Sequence, residues 1–159
     1  MRTRVLCLGN DLMADDAVGP EVARRLRDLD LPGVEVIESA ESGLRLLEHL
    51  DGARLIVVDA VSTGSEPPGT IYVLNPDLLS CAPVTSPHYT GLHEALLLGR
   101  ALGMSVPGDV TIVAVETADC RTVGGPMCSE VKRAAMRVVD LICKEVVLPS
   151  PSTAVTTPV

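Results

Sequence analysis

The chain has no tryptophan and no phenylalanine, and its only phenolic side chains are Tyr72 and Tyr89. Recognition of single-stranded nucleic acid by stacking therefore lacks its platforms, and the core must be built from Leu, Val, Ile, Ala and Met. Positive charge is also scarce, with 13 Lys and Arg against 21 Asp and Glu and a formal net charge of -8. Such a surface repels phosphate backbones and anionic membranes. Only Arg24, Arg25 and Arg27 gather into a basic stretch, so nucleic acid is not an expected partner. No apolar run approaches the ~20 residues of a membrane span. Met1-Arg2-Thr3-Arg4 leads into an apolar stretch of about five residues, too short for the apolar region of a signal peptide. A cytoplasmic protein without membrane insertion is expected.

Several chemical signatures are missing as well. The five cysteines, Cys7, Cys81, Cys120, Cys128 and Cys143, are odd in number and form no C-x-x-C pair, which argues against a disulfide framework and a thiolate zinc site. Most of them read as buried or incidental thiols. There is no G-x-G-x-x-G and no G-x-x-x-x-G-K-[ST], so phosphate cradling lacks its glycines and its lysine, and no organic cofactor is expected. Nor is there a G-x-S-x-G, or a cysteine with a base nearby in sequence, which disfavours serine and cysteine hydrolases. The absence of H-E-x-x-H weakens the case for a conventional metallopeptidase with a resident zinc.

What remains is an ordered α/β pattern. At 159 residues the chain can bury roughly two-thirds of its unfolded surface in one domain. Val5 to Leu8 reads as a strand ended by Gly9-Asn10. A helix then starts near Gly19-Pro20-Glu21, with Val18, Val22, Leu26 and Leu29 on one face. Val34 to Ile37 reads as a second strand, Gly43 to Leu50 as a short helix, and Leu55 to Val58 as a third strand apolar enough to be buried on both faces. Thr70 to Leu74 has strand character but follows Val61 too closely for a helical crossover, so an antiparallel edge strand is expected there. A helix from Ser86 to about Leu102, a strand from Val110 to Val115 and a helix from about Cys128 to Val146 complete the pattern. The expected fold is a three-layer αβα sandwich around a mostly parallel five-stranded sheet with one antiparallel edge strand. The single domain is expected over 1–147, with a disordered tail over 148–159, where Pro, Ser and Thr dominate.

Three segments carry chemistry. Gly9-Asn10-Asp11-Leu12-Met13-Ala14-Asp15-Asp16, Val57-Val58-Asp59-Ala60 and Ser86-Pro87-His88 each follow a strand-like run or its loop and present a carboxylate or an imidazole. Open α/β sheets keep their binding crevice just past the carboxyl ends of their strands. Asp15 and Asp16 also suit the start of a helix, where acids complement the dipole. Asp59 ends an apolar run and is costly to bury without a partner; the alternatives are a ligand or hydrogen bonds from loop amides. His88 lies at a helix start, where the dipole disfavours protonation and leaves a neutral, metal-ready imidazole; a solvated loop histidine is the plainer alternative. Glu38, after the second strand, would reach the same edge as Asp16 and Asp59, either tuning the site or solvating a loop.

Gly9-Asn10-x-Leu12-x-x-Asp15-Asp16-x-x-Gly19, Val58-Asp59-Ala60 with Pro68-Gly69-Thr70, and Ser86-Pro87-His88-x-x-Gly91-Leu92, in that order, resemble the hydrogenase maturation endopeptidase family over roughly Val5 to Val146. The resemblance implies an enzyme that removes a short C-terminal extension from the precursor of the nickel-iron hydrogenase large subunit after nickel insertion. It places Asp16, Asp59 and His88 on the three metal-contacting positions and implies nickel delivered with the substrate; Glu38 is an accessory candidate from its position in the chain alone. Some members carry glutamate where Asp16 stands, and many carry glycine where this chain has Ala17. The family's Gly-Leu-Ser-like turn is degraded at Gly125-Pro126-Met127-Cys128-Ser129, so no role is carried over there. Two carboxylates and an imidazole form a donor set suited to Ni²⁺, Zn²⁺ or Mn²⁺, with positions left open for water or a substrate group. The rival reading is a noncatalytic nickel-sensing or carrier module that binds the precursor without cutting it.

Overall fold

A computed structural model describes residues 2–51, 54–76 and 87–147, of which 87–90 and 147 are described in backbone only. The expected tail, 148–159, and Cys81 lie outside the described residues. Five strands form one sheet: β1 (Thr3–Leu8), β2 (Val34–Ser39), β3 (Arg54–Val61), β4 (Ile71–Leu74) and β5 (Val110–Glu116), in the order β2-β1-β3-β5-β4. All neighbours are parallel except β4, which pairs antiparallel with β5 at the edge. The edge strand follows from its short connection to β3, since a parallel neighbour would need a crossover of a dozen or more residues. β1 and β3 are buried along their whole length, as strands covered on both faces must be.

Three helices, α1 (Val18–Leu29), α2 (Pro87–Ala101) and α3 (Ser129–Val147), cover the sheet together with a 3₁₀ segment at Gly43–His49. The chain steps from β1 outward to β2, then back across β1 to β3 and on toward β5. Right-handed crossovers in opposite directions put the connecting helices on opposite faces. Accordingly α1 and α3 pack over Val5, Cys7, Ile56, Val58, Val113 and Val115, while the 3₁₀ segment and α2 pack over Leu6, Leu8, Leu55, Val57, Ile112 and Ala114. The reversal of direction leaves a switch point between the carboxyl ends of β1 and β3, the position where such sheets open a crevice.

The short helix expected from Gly43 to Leu50 is present, as 3₁₀ over Gly43–His49. The structure corrects two local expectations. The third strand does not stop at Val58 but runs to Val61, so Asp59 lies inside β3, paired in register with Ala114; the apolar Ala60-Val61 continuation is what sustains the ladder. Glu38 does not follow β2 but belongs to it, in register with Cys7. Because Cys7 is also in register with Val58 and side chains alternate along a strand, Glu38 is on the α1 side of the sheet and Asp59 on the α2 side.

Candidate active site at the carboxyl edge of the sheet

Leu8 ends β1, and Gly9 turns the chain with φ 143°. A Cβ at Gly9 would collide with the carbonyl oxygen of Asp16, so only glycine lets the following loop fold back over the strand end. The loop closes through its polar groups. The Asn10 N–H donates to Asp16 Oδ2 at 2.9 Å, and the Leu12 N–H donates to Asn10 Oδ1 at 3.0 Å. A short 3₁₀ turn, Ala14–Ala17, then feeds α1. Asp16, half-buried, is thereby fixed above the carboxyl end of β1.

Asp59 is 0% exposed, and its Oδ1 accepts the Ala60 N–H at 2.8 Å. It projects from the sheet face that carries α2. The first turn of α2 holds the backbone of His88, while the His88 side chain is outside the described residues. Gly91, one position past that turn, sits so close to Gly43 that a Cβ would collide with the Gly43 backbone. Gly43 lies just beyond β2, so α2 begins at the carboxyl edge, on the same face as Asp59.

Cys120 senses the charge of the acids. Its thiol is pushed up to about 11, first by burial, against a lowering hydrogen bond from Thr117, and further by the charges of Asp16, Asp15 and Asp59. Thr117 Oγ1 lies 2.9 Å from the sulfur and 2.9 Å from the carbonyl oxygen of Val61, to which it donates. The charges of all three carboxylates are thus felt at this thiol, beyond the end of β5. Among the described residues no three His, Cys, Asp or Glu side chains are grouped to hold a metal, and of the three side chains singled out in the sequence as metal-contacting only those of Asp16 and Asp59 are described. Glu38 is elsewhere, 3.1 Å from Arg27 of α1. The basic stretch noted in the sequence is likewise engaged, Arg24 with Glu21 and Asp11, and Arg25 with Glu21.

Two carboxylates that the sequence did not assign to the site organise the rim. Asp15, 1% exposed, accepts N–H groups from Ala118, Asp119 and Cys128 at 2.8 to 2.9 Å. It thus ties the β1–α1 loop to the β5–α3 loop, including the Gly125–Ser129 turn whose sequence is degraded. Nothing in the sequence distinguishes Asp15 from Asp16, because its donors come from distant segments. Glu116, also 1% exposed, accepts the N–H groups of Thr63 and Gly64 and the hydroxyls of Thr63 and Tyr72 at 2.7 to 3.0 Å. It holds the β3–β4 loop against the end of β5. The signal that drew attention to Asp59, an acid at the end of an apolar strand, is equally present at Glu116.

Comparison with known proteins agrees with this architecture. The family model HycI, hydrogenase maturation protease, matches residues 20–145. The hydrogenase expression/formation protein HoxM of Cupriavidus necator is 31% identical over 158 residues, covering 92% of this chain and 77% of that protein. The hydrogenase 2 maturation protease of Escherichia coli is 32% identical over 120 residues, covering 72% of this chain and 73% of that protein. Among solved structures, the hydrogenase maturating endopeptidase HybD from E. coli superimposes with a TM-score of 0.73 at 26% identity, covering 89% of this chain and 90% of that one. The [NiFe] hydrogenase maturation protease HybD from Thermococcus kodakarensis gives the same TM-score, 0.73, and the same identity, 26%, over 91% of this chain and 98% of that one. With the model covering most of the chain and the fold shared along its length, the chain belongs to the hydrogenase maturation protease family.

Proposed function

We propose that this hydrolase removes the C-terminal extension of a nickel-iron hydrogenase large-subunit precursor in the cytoplasm after nickel insertion, and that the nickel reaches the site as part of the substrate. The observation that carries the reading is the position of Asp16 in the turn just past β1 and of Asp59 near the carboxyl end of the neighbouring β3, on either side of the switch point of a hydrogenase maturation protease fold. Together with His88 they supply two oxygen donors and one nitrogen donor. That set suits a borderline divalent ion, and three protein ligands leave room for groups of the client.

Bound nickel would supply Lewis-acid polarisation of the scissile carbonyl. This chain's residues do the rest. Asp59, buried and hydrogen-bonded by the Ala60 N–H, gives the site a fixed oxygen. Asp16 is held by the Asn10 N–H and gives a second, more accessible one. One of these carboxylates takes the proton of the attacking water, and His88 completes the recognition of the loaded client. The metal then acts as a licence, because a client without it fails to engage all three side chains.

His88→Ala is expected to abolish loss of the C-terminal peptide, followed by precursor mass, while circular dichroism and thermal unfolding stay those of the parent protein. A folded and active His88→Ala protein would sink the site assignment. Nickel titration of the protein alone separates the carrier reading: a licence-reading protease binds free nickel poorly, whereas a carrier retains it.

A further inference from the structure

β3 outruns its neighbour β1. The pairing of β1 with β3 ends at Cys7 and Val58, whereas the pairing of β3 with β5 continues through Asp59 and Ala60 to Val61, opposite Glu116. Asp59 therefore lies on a stretch of strand that the sheet pairs on the β5 side. The position of that stretch depends on what holds its tip.

Glu116 holds it. Its register with Val61 puts its side chain on the same sheet face as Asp59, where it is buried. The carboxylate takes the start of the β3–β4 loop: Oε1 accepts the N–H groups of Thr63 and Gly64 at 2.8 and 2.9 Å, and Oε2 accepts the hydroxyls of Thr63 and Tyr72 at 2.7 and 3.0 Å. The backbone takes the end of the same loop, with the Gly69 N–H donating to the Glu116 carbonyl and the Glu116 N–H to the Thr70 carbonyl, both at 2.8 Å. Beside it, the Thr117 N–H and hydroxyl both donate to the Val61 carbonyl at 2.9 Å. One residue thus grips both ends of the loop into which β3 runs. Each carboxylate oxygen already accepts two hydrogen bonds, which fills its lone pairs, so any effect of Glu116 on chemistry passes through the backbone it holds.

We propose that Glu116 is a positioning residue for the cleavage reaction, fixing the carboxyl end of β3 so that Asp59 meets the client-borne metal in one defined place. The inference rests on the protease function proposed above. Misplacing a reacting group by about 1 Å can cost on the order of 100-fold in rate. Acceptor geometry, not charge, carries the role. In Glu116→Gln the amide oxygen takes the two N–H groups and the NH₂ donates to the two hydroxyls, which accept as well as donate. Glu116→Ala leaves all four donors without this acceptor.

The test compares the parent protein, Glu116→Gln, Glu116→Ala and Thr63→Val in two readouts. The first is the single-turnover rate of cleavage of a nickel-loaded large-subunit precursor from the same cell, per folded molecule. The second is hydrogen exchange of the Ala60 amide, which donates to Asp59 Oδ1, relative to that of Val5 within β1; a global loss of stability speeds both amides, a loosened strand end only the first. Glu116→Ala is expected to lower the cleavage rate about tenfold or more and to raise the exchange ratio by a similar factor, while Glu116→Gln stays within about twofold of the parent in both. A parent-like value of either readout in Glu116→Ala overturns the inference. So does a Glu116→Gln protein as impaired as Glu116→Ala, which would make charge the property that matters. If Glu116→Ala does not fold, Thr63→Val decides, since it removes one of the four hydrogen bonds: a change of about threefold in both readouts supports the inference, and a parent-like value in either overturns it. If the parent protein does not cleave, the protease function fails, and the exchange ratio alone decides whether Glu116 holds Asp59 in place.

Discussion

The two edges of the sheet treat buried charge in opposite ways. At the amino edge the buried groups are cations closed by acids. Arg4 lies 2.7 Å from Glu35 and 2.8 Å from Asp51, and also donates to the His49 carbonyl. Arg54 lies 3.0 Å from both Asp109 and Glu145, the first contact being ionic without hydrogen-bond geometry at Nε. At the carboxyl edge the buried groups are acids cradled by backbone N–H groups and hydroxyls, as at Asp15, Asp59 and Glu116. An arginine forked onto carboxylates is a closed arrangement that specifies packing. Carboxylates held by N–H groups and hydroxyls tie loops to strand ends instead, Glu116 accepting four hydrogen bonds and Asp15 three, so that of these acids only Asp59 belongs to the proposed metal site.

The largest expected break in this contrast is Asp59→Asn. The amide keeps an oxygen for the Ala60 N–H but loses the charge, so turnover per folded molecule is expected to fall about 100-fold or more, measured by single-turnover precursor cleavage with the folded fraction taken from denaturant titration. Arg54→Met tests the other edge. Its partners are partly exposed and can be rehydrated, so stability should fall by about 2 kcal/mol, while turnover per folded molecule stays that of the parent.

Asp15→Asn falls between the two edges. It turns an NH₂ toward donors that need an acceptor, a cost of about 1–2 kcal/mol, and it loosens the rim so that turnover drops severalfold. Equal turnover at matched folded fraction would confine Asp15 to stability. The smallest effect concerns Cys7, whose thiol burial raises from 9.0 to about 12, with Glu38 adding to the shift and Arg27 opposing it. The folded thiol stays protonated where the unfolded one ionises, so stability falls as pH climbs from about 9 toward 12, by at most about 1.4 kcal/mol per pH unit from this group. Denaturation midpoints at pH 8 and pH 10 should show a shallower loss in Cys7→Ala.

Much of this was legible in the chain, for physical reasons. Apolar runs too long and too uniform for one exposed face announced β1, β3 and β5, and the short link after Val61 announced the antiparallel β4. Asp59 stood out because a charge inside such a run needs a reason. Quantities set by register or distant partners were not legible. The side of the sheet taken by Glu38 depends on a single-residue phase, and β2 pairing with β1 sends it toward Arg27. Asp15 looked like a helix-start acid, because the three N–H groups it binds come from the loop after β5. Glu116 carried the same local signal as Asp59, but its partners across β3 and β4 appear only once the strand order is known. The pairing of Met13 with Val123 is nonlocal in the same way.

The central claim is that the carboxyl-edge acids read a metal carried by the client before the chain is cut. The most direct measurement incubates this protein with a large-subunit precursor from the same cell, nickel-loaded in one sample and nickel-free in the other, and follows precursor mass. Loss of a C-terminal peptide in the loaded sample alone is the predicted result; equal cleavage of both, or stable association with no mass change in either, would contradict it.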